Sequence, residues 1–554
     1  MNRCSSSVAF HLLFFFLVGL SLGCPQVEGP LNQDPGQGSG EGNASGDGEP
    51  EDGDGSSDLE ADSDSDNDTD GDGDGDSNQD PVYTEVALYL VADPLNSPAM
   101  ASAIQGGPRF LQLELGVEKE VTLSAGVYSL YSGDSQNTAP FRALSGSFSL
   151  QNDEPFRFLI PREEILRVQW LSESDGLVQI QRESGGPGAL IDEALQAGSD
   201  DVEVVLALQH RLREAMGNPI GEPQRYFFVG IGSEDGIAPE LRGTFNDWAG
   251  GAAFALQPLQ GRLWGRFVDQ LEGFHEYKVV YGGGSGWFTD LGNPDIRWDG
   301  VPTSGLGAFN SVLNPLEGSV GEGRLLWWPR VESESLENYR EVYVYLPPGF
   351  SPDDGGPDYD LLVFHDGNES ITRGRFHEAL DELSPGVIAA FVGLPSQEER
   401  LGEYTVGTDG SRGEPYGEFI ATELLPLLEE RFPLAQEREH RGVIGASLGG
   451  LISFWIAMEY PESFGFVGAM SSSFFWGEDY MLDLVAERGC QDLRFYIDSG
   501  SPQDNYEVTL AMRDLLSGLD CDFSHRVETG GLHQWGFWRG RLPGLLAHFL
   551  EDDE

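Results

Sequence analysis

The segment VIGASLGGLISFWIAMEYP constrains this chain more than any other. It sets Gly445-Ala446-Ser447-Leu448-Gly449 between an apolar strand-like run and an apolar helix-like run, the context in which a strand turns sharply into a helix and presents a serine at the turn. The turn is strained, and side chains at Gly445 or Gly449 would clash with neighbouring backbone. Ser447 is the candidate nucleophile.

From Tyr339 onward, strand-like runs (REVYVYLPPGF, DLLVFHDG, GVIAAFVGLP, RGVIGAS) alternate with helix-like ones (FHEALDEL, FIATELLPLLEERF). That alternation predicts a largely parallel sheet with helices on both faces. His533, in GGLHQWGFWRGRL, follows the last predicted strand (FSHRVET) and precedes a final helix, so a base on that loop can reach over the sheet to Ser447. His525 lies within that strand and reads as structural. Of the remaining histidines, all but His548 precede Ser447, contrary to the chain order serine, acid, histidine.

The acid comes from LRFYIDSGSPQDNYE, which offers Asp498 and Asp504, with Glu507 a distant third. Asp504 is preferred, because a carboxylate orienting His533 belongs in the loop beyond the strand end. The amide of Leu448 and that of Gly367 or Asn368 are the expected oxyanion donors. His365 and Asp366 read as loop-fixing residues rather than a catalytic pair. Cys490 and Cys521 each precede a predicted strand and could pair in an exported protein.

Length and composition place other units before this one. A chain of 554 residues exceeds one typical domain. Its formal charge of -61 repels nucleic acid and anionic lipid headgroups, which excludes a nucleic-acid partner. Only Lys119 and Lys278 are lysines, and Arg supplies the remaining positive charge.

At the start, Arg3 precedes the apolar run Val8 to Leu22, the pattern of a secretory signal over residues 1–24. The run falls short of the ~18 to 20 apolar residues that span a bilayer. Residues 25–81 hold no Lys or Arg and read as a disordered acidic linker that cannot offset its chain entropy. Within it, Asp66, Asp68, Asp70 and Gly71 match the first half of a calcium loop, but Ser77 stands where the twelfth-position Glu belongs, so plain linker is the reading.

Residues 82–183 alternate in short runs (VALYLVA, RFLQLEL, LVQIQR) and predict a β-rich domain. Residues 184–223 carry helical periodicity and read as a connector. Residues 224–316 are again β-patterned and contain LRGTFNDW, GFHEYKVVY and GWFTDLGNPDIRWDG. The fold class is thus multidomain, with two β-sandwich-like units and a linker before a C-terminal α/β unit at 324–554.

Three resemblances sharpen these readings. Ser21-Leu22-Gly23-Cys24 resembles a bacterial lipoprotein signal, which implies acylation of Cys24 and anchoring in the cell envelope. The FNDW turn and Trp-Asp-Pro region of 224–316 resemble immunoglobulin-like modules related to glycogen-binding domains (carbohydrate-binding family 48 type). That resemblance implies that Trp248, Trp287, Asp290 and Pro294 shape one end of a sandwich, with glycan stacking as one use and core packing as the other. VYLPPGF, HDG, Arg400-x-x-Glu403-Tyr404, ELLPLLEERF, GASLGG and HQWGFWRGRL together resemble the esterase D family of α/β-hydrolases, which includes enterochelin-type, feruloyl and acetylxylan esterases and S-formylglutathione hydrolases. Leu532 and Gln534 depart from the Gly-His-Asp of many relatives, which leaves the substrate class open.

The expectation is an exported serine esterase acting on a small-molecule or glycan ester through an acyl-enzyme. No metal or organic cofactor is expected, and the only membrane link is the N-terminal anchor. A surface glycan-binding protein with a vestigial hydrolase domain and an acyltransferase using the same triad stand as alternatives.

Overall fold

The computed structural model describes residues 86–551 apart from 93–108, 114–115, 135–136, 141–142, 145–155, 173–176, 183–184, 235, 270, 302–307, 319–320, 353–357 and 384–385. The expected leader, Cys24, the acidic linker and its calcium-like run lie outside the described residues.

Eight strands from Arg324 onward build the sheet that carries the site: β1 (Arg324–Ser333), β2 (Asn338–Leu346), β3 (Asp360–Phe364), β4 (Val387–Val392), β5 (Arg441–Ala446), β6 (Phe466–Met470), β7 (Arg494–Ser501) and β8 (Asp522–Thr529). They follow the order β1-β2-β4-β3-β5-β6-β7-β8. β2 runs antiparallel to β1 and β4, and the neighbours from β4 through β8 are parallel. This is an α/β-hydrolase-like fold on a large mixed sheet.

The strand sequences explain why both faces are covered. β4 reads VIAAFV and is buried throughout, as a strand must be when helices lie on both sides. Because successive side chains point to opposite faces, Ile388, Ala390 and Val392 enter one core while Val387, Ala389 and Phe391 enter the other. Five helices matter for the site: α1 (Gly367–Thr372), α2 (Phe376–Leu383), α3 (Leu448–Glu459), α4 (Tyr506–Gly518) and α5 (Trp535–Phe549). α3 is buried from Gly449 to Met458 and sits in the first core. α5 faces the second core with Trp538, Leu542, Leu545, Leu546 and Phe549, and Arg541 lies buried on that same face. A disulfide joins Cys490 to Cys521 ahead of β7 and β8, with Cα atoms 5.4 Å apart.

Upstream, residues 86–181 form a five-stranded and a four-stranded sheet. Helices Pro187–Gly198 and Val202–Met216 follow, and Val205, Leu208 and Leu212 of the second line one face against Phe227, Val229 and Phe267. The next unit packs the sheet containing Arg225–Ile231 and Leu263–Asp269 against the one containing His275–Tyr281 and Phe309–Leu313, around Phe228, Trp264, Tyr277 and Leu313. That second sheet does not end at the esterase-like domain. Asp295 and Ile296 pair with Leu326 and Leu325 of β1, making one 13-stranded sheet across the expected 316/324 boundary. Among the described residues no helix is long and apolar enough to cross a membrane.

Candidate active site

Ser447 joins the C-terminal end of β5 to α3 with φ 61° and ψ -121°. A non-glycine residue holds such a conformation only when its surroundings fix it, at a cost of order 1–3 kcal/mol. Its N–H donates to Met470 O at 2.9 Å, and its carbonyl accepts from Ser473 N at 3.1 Å. At Gly445 an added Cβ would lie 2.3 Å from the Gly449 carbonyl carbon, so the glycine is required there. Gly449 differs from expectation: its added Cβ would meet side chains of Asp366, His365 and Tyr404 at 3.3–3.9 Å rather than backbone.

The loop between β8 and α5 carries His533, whose Nδ1 is 2.8 Å from Asp504 Oδ1. That pairing assigns the ring proton to Nδ1 and leaves Nε2 as the basic nitrogen. The His533 side chain is 39 % exposed and Asp504 is fully buried. The edge-to-face ring of Trp538, 4.9 Å away, supports the imidazole from α5. Burial opposes the charge on Asp504. Hydrogen bonds from His533, Ser471 Oγ (2.6 Å) and the Gly500 amide (2.8 Å), together with the Arg541 charge, outweigh it and hold the carboxyl well below the usual range.

Asp498, the other carboxylate weighed in the sequence, does not reach His533. It is fully buried on β7, with its Oδ1 3.3 Å from Arg541 Nη1 and accepting from Ser471 N at 3.2 Å. Burial pushes it up to about 7 despite the opposing Arg541 charge. Glu507 is exposed in the first turn of α4. His525 lies half-buried in β8, and burial lowers its pKa.

Ser447 and His533 stand on loops at the same edge of the sheet, beyond the C-terminal ends of β5 and β8. The Ser447 hydroxyl is paired with Ser473 Oγ at 3.4 Å, and among the described residues no hydrogen bond joins Ser447 to His533. Leu448 and Gly367 are the first residues of α3 and α1, positions whose amides have no acceptor within their own helix. The two helix starts adjoin, since a Cβ on Gly449 would be 3.3 Å from Asp366 Oδ2. Asn368 occupies the second position of α1, and its side-chain amide donates to Tyr343 Oη at 3.2 Å.

His365 and Asp366 do not pair with each other. His365 Nδ1 is 2.8 Å from Tyr416 Oη, and burial, with the nearby Arg400 charge, lowers its pKa to about 3. Arg400 grips both oxygens of Asp366 at 2.7 Å, and Tyr404 Oη accepts from the Asp366 amide at 2.8 Å. Glu403 is bound to Arg340, both fully buried. Arg400 and Tyr404 of this pattern therefore buttress the β3–α1 loop, while Glu403 ties the pattern to Arg340 of β2, roles its spacing alone did not disclose. Ser471, Trp538 and Arg541 were also missed. Their segments were legible, but their convergence on the Asp504–His533 pair depends on contacts far apart in sequence.

In the β-module, Trp248 and Trp287 form a tilted pair at 6.3 Å, with Arg242 5.2 Å from the Trp287 ring centre. Asp290 is not beside them on a surface. It is buried, accepting from Tyr277 Oη at 2.6 Å and from Arg213 at 3.1 Å. Pro294 O accepts from the Trp327 amide of β1 at 2.7 Å. These two residues tie the module to the elements on either side.

Residues 333–549 match the family model described as "Putative esterase". The uncharacterized protein YjcH of Bacillus subtilis (strain 168) is 26 % identical over 253 residues, covering 43 % of this chain and 100 % of that protein. An endo-1,4-beta-xylanase/feruloyl esterase of Xylanibacter ruminicola is 24 % identical over 301 residues, covering 50 % of this chain and 38 % of the relative. An iron(III) enterobactin esterase of Escherichia coli O6:H1 is 24 % identical over 230 residues, covering 39 % of this chain and 55 % of the relative.

Proposed function

We propose that this chain hydrolyses carboxylic esters through an acyl-enzyme on Ser447, with His533 as general base and Asp504 as the acid that orients it. The observation that carries the reading is the 2.8 Å pairing of His533 Nδ1 with Asp504, on the sheet edge where Ser447 is held at φ 61°. The match of 333–549 to an esterase family supports it.

In this scheme Ser447 Oγ attacks the ester carbonyl carbon while His533 Nε2 takes the serine proton. The tetrahedral oxyanion lies between the amides of Leu448 and Gly367, with Asn368 as the neighbouring donor, and each such donor is worth about 2.7 to 4 kcal/mol. Collapse expels the alcohol, which leaves with the proton held on His533. Water, deprotonated by the same nitrogen, then releases the acid and restores Ser447. Ester binding displaces Ser447 from Ser473 and closes the contact to His533, in keeping with the loose geometry of unliganded sites.

The substrate class is a small-molecule or glycan ester, in keeping with the feruloyl esterase and iron(III) enterobactin esterase named among the relatives. Export, with Cys24 as the anchored residue, belongs to the same reading. The test is labelling with a fluorophosphonate followed by peptide mass mapping. The adduct is expected on the peptide that contains Ser447, and a folded protein that takes no label there contradicts the mechanism.

A further inference from the structure

We propose that Arg541 positions Asp504 for His533, an inference that rests on the serine-esterase reading above and adds a residue to it. Arg541 lies fully buried on the largely apolar face of α5, where a cation persists only with partners around it. Its Nη2 donates to Asp504 Oδ2 at 3.1 Å and to Ser471 Oγ at 2.9 Å. Nη1 is 3.3 Å from Asp498 and Nε is 3.6 Å from Glu528.

The arrangement divides the Asp504 carboxylate into two jobs. Oδ2 receives Arg541, the Ser471 hydroxyl and the Gly500 amide, so Oδ1 is left to His533. Three donors on one oxygen stop the carboxylate from rotating, and orientation errors of about 1 Å can cost roughly a hundredfold in rate. The Ser471 hydroxyl couples this clamp to the ring above it. It donates to Asp504 and accepts from Arg541 and, at 3.0 Å, from Trp538 Nε1, whose ring braces His533. Trp538 and Arg541 are three residues apart on α5 and so share its face.

The charged and titratable groups around this cluster are Tyr496 and Asp498 from β7, Arg526 and Glu528 from β8 and Arg541 from α5. Burial pushes Asp498 up to about 7, whereas Asp504 is held far below its ordinary value. Of these two aspartates, Asp504 is therefore the one that Arg541 faces as an anion at neutral pH.

The experiment compares Arg541→Met, Arg541→Lys and Ser447→Ala in the full chain, using p-nitrophenyl butyrate across pH 5 to 9. Arg541→Met is expected to lower kcat about ten- to a hundredfold with KM little changed. It should also move the acid limb of kcat/KM to higher pH, because loss of a nearby cation favours protonated imidazole. Lys restores the acid limb but only part of kcat, since an ammonium cannot reproduce the guanidinium fork. A purely structural Arg would change melting without moving that limb. An inactive Ser447→Ala alongside a folded Arg541→Met with parental kcat and acid limb overturns this assignment alone. Parental activity in Ser447→Ala overturns the serine mechanism and this assignment together. If the Met variant does not fold, the Lys variant decides, and parental kcat there overturns the proposal.

Discussion

His533 Nδ1 sits 2.8 Å from Asp504 Oδ1, while Asp498, six residues earlier inside β7, pairs with Arg541 and does not reach His533. Two buried carboxylates six residues apart thus meet opposite environments. One is stabilised as an anion by donors, and the other is pushed toward its neutral form by burial.

Substitution separates the two kinetically. Asp504→Asn should lower kcat by about 10³- to 10⁴-fold, because an amide favours the wrong imidazole tautomer. Asp498→Asn should stay within about tenfold of the parent, having no contact with His533. Steady-state hydrolysis rates at fixed pH measure both.

The raised pKa of Asp498 also has a signature in stability. An unfolded Asp titrates near 3.9, whereas the folded group titrates at about 7. The folded chain's preference for the proton is fully present below about pH 4 and is lost as pH rises through 7. Melting of Asp498→Asn relative to the parent should therefore shift in the variant's favour from pH 4 to 7 and level off above. A difference flat with pH would contradict the assignment.

The glycines flanking Ser447 should differ. Gly445→Ala drives a Cβ to 2.3 Å from backbone and should fail to fold or lose activity. Gly449→Ala meets side chains at 3.3 Å or more, and its melting temperature should fall by no more than about 4 °C, the shift for roughly 1 kcal/mol in a domain of this size. Thermal melts of the two variants decide.

The disulfide between Cys490 and Cys521 closes a loop with a sequence separation of 31. In the chain-entropy account its removal costs about 3 to 4 kcal/mol. Cys490→Ala/Cys521→Ala should show that loss in denaturant unfolding, and reduction of the parent should reproduce it.

Much of this was readable from the chain because it depends on local pattern. β4 is an uninterrupted apolar run, and β5 is apolar after Arg441, because helices cover both faces, and the glycines around Ser447 mark the turn. His533 was legible from its place after the last strand. The choice between Asp504 and Asp498 was harder, since both lie near a strand end and only the three-dimensional donor set separates them. Arg541 was hidden because a charged residue in a helix normally reads as solvent-facing, and its partners Ser471 and Asp504 lie 70 and 37 residues away in sequence. The junction of Asp295 and Ile296 with β1 was hidden for a related reason. Long-range edge pairing leaves no local periodicity.

The central claim is tested most directly by hydrolysis of p-nitrophenyl acetate and butyrate by the parent, Ser447→Ala and His533→Ala. The account predicts turnover by the parent and a loss of at least about 10³-fold in each variant. Parental rates in folded Ser447→Ala, or no turnover of any aryl ester by the folded parent, would contradict it.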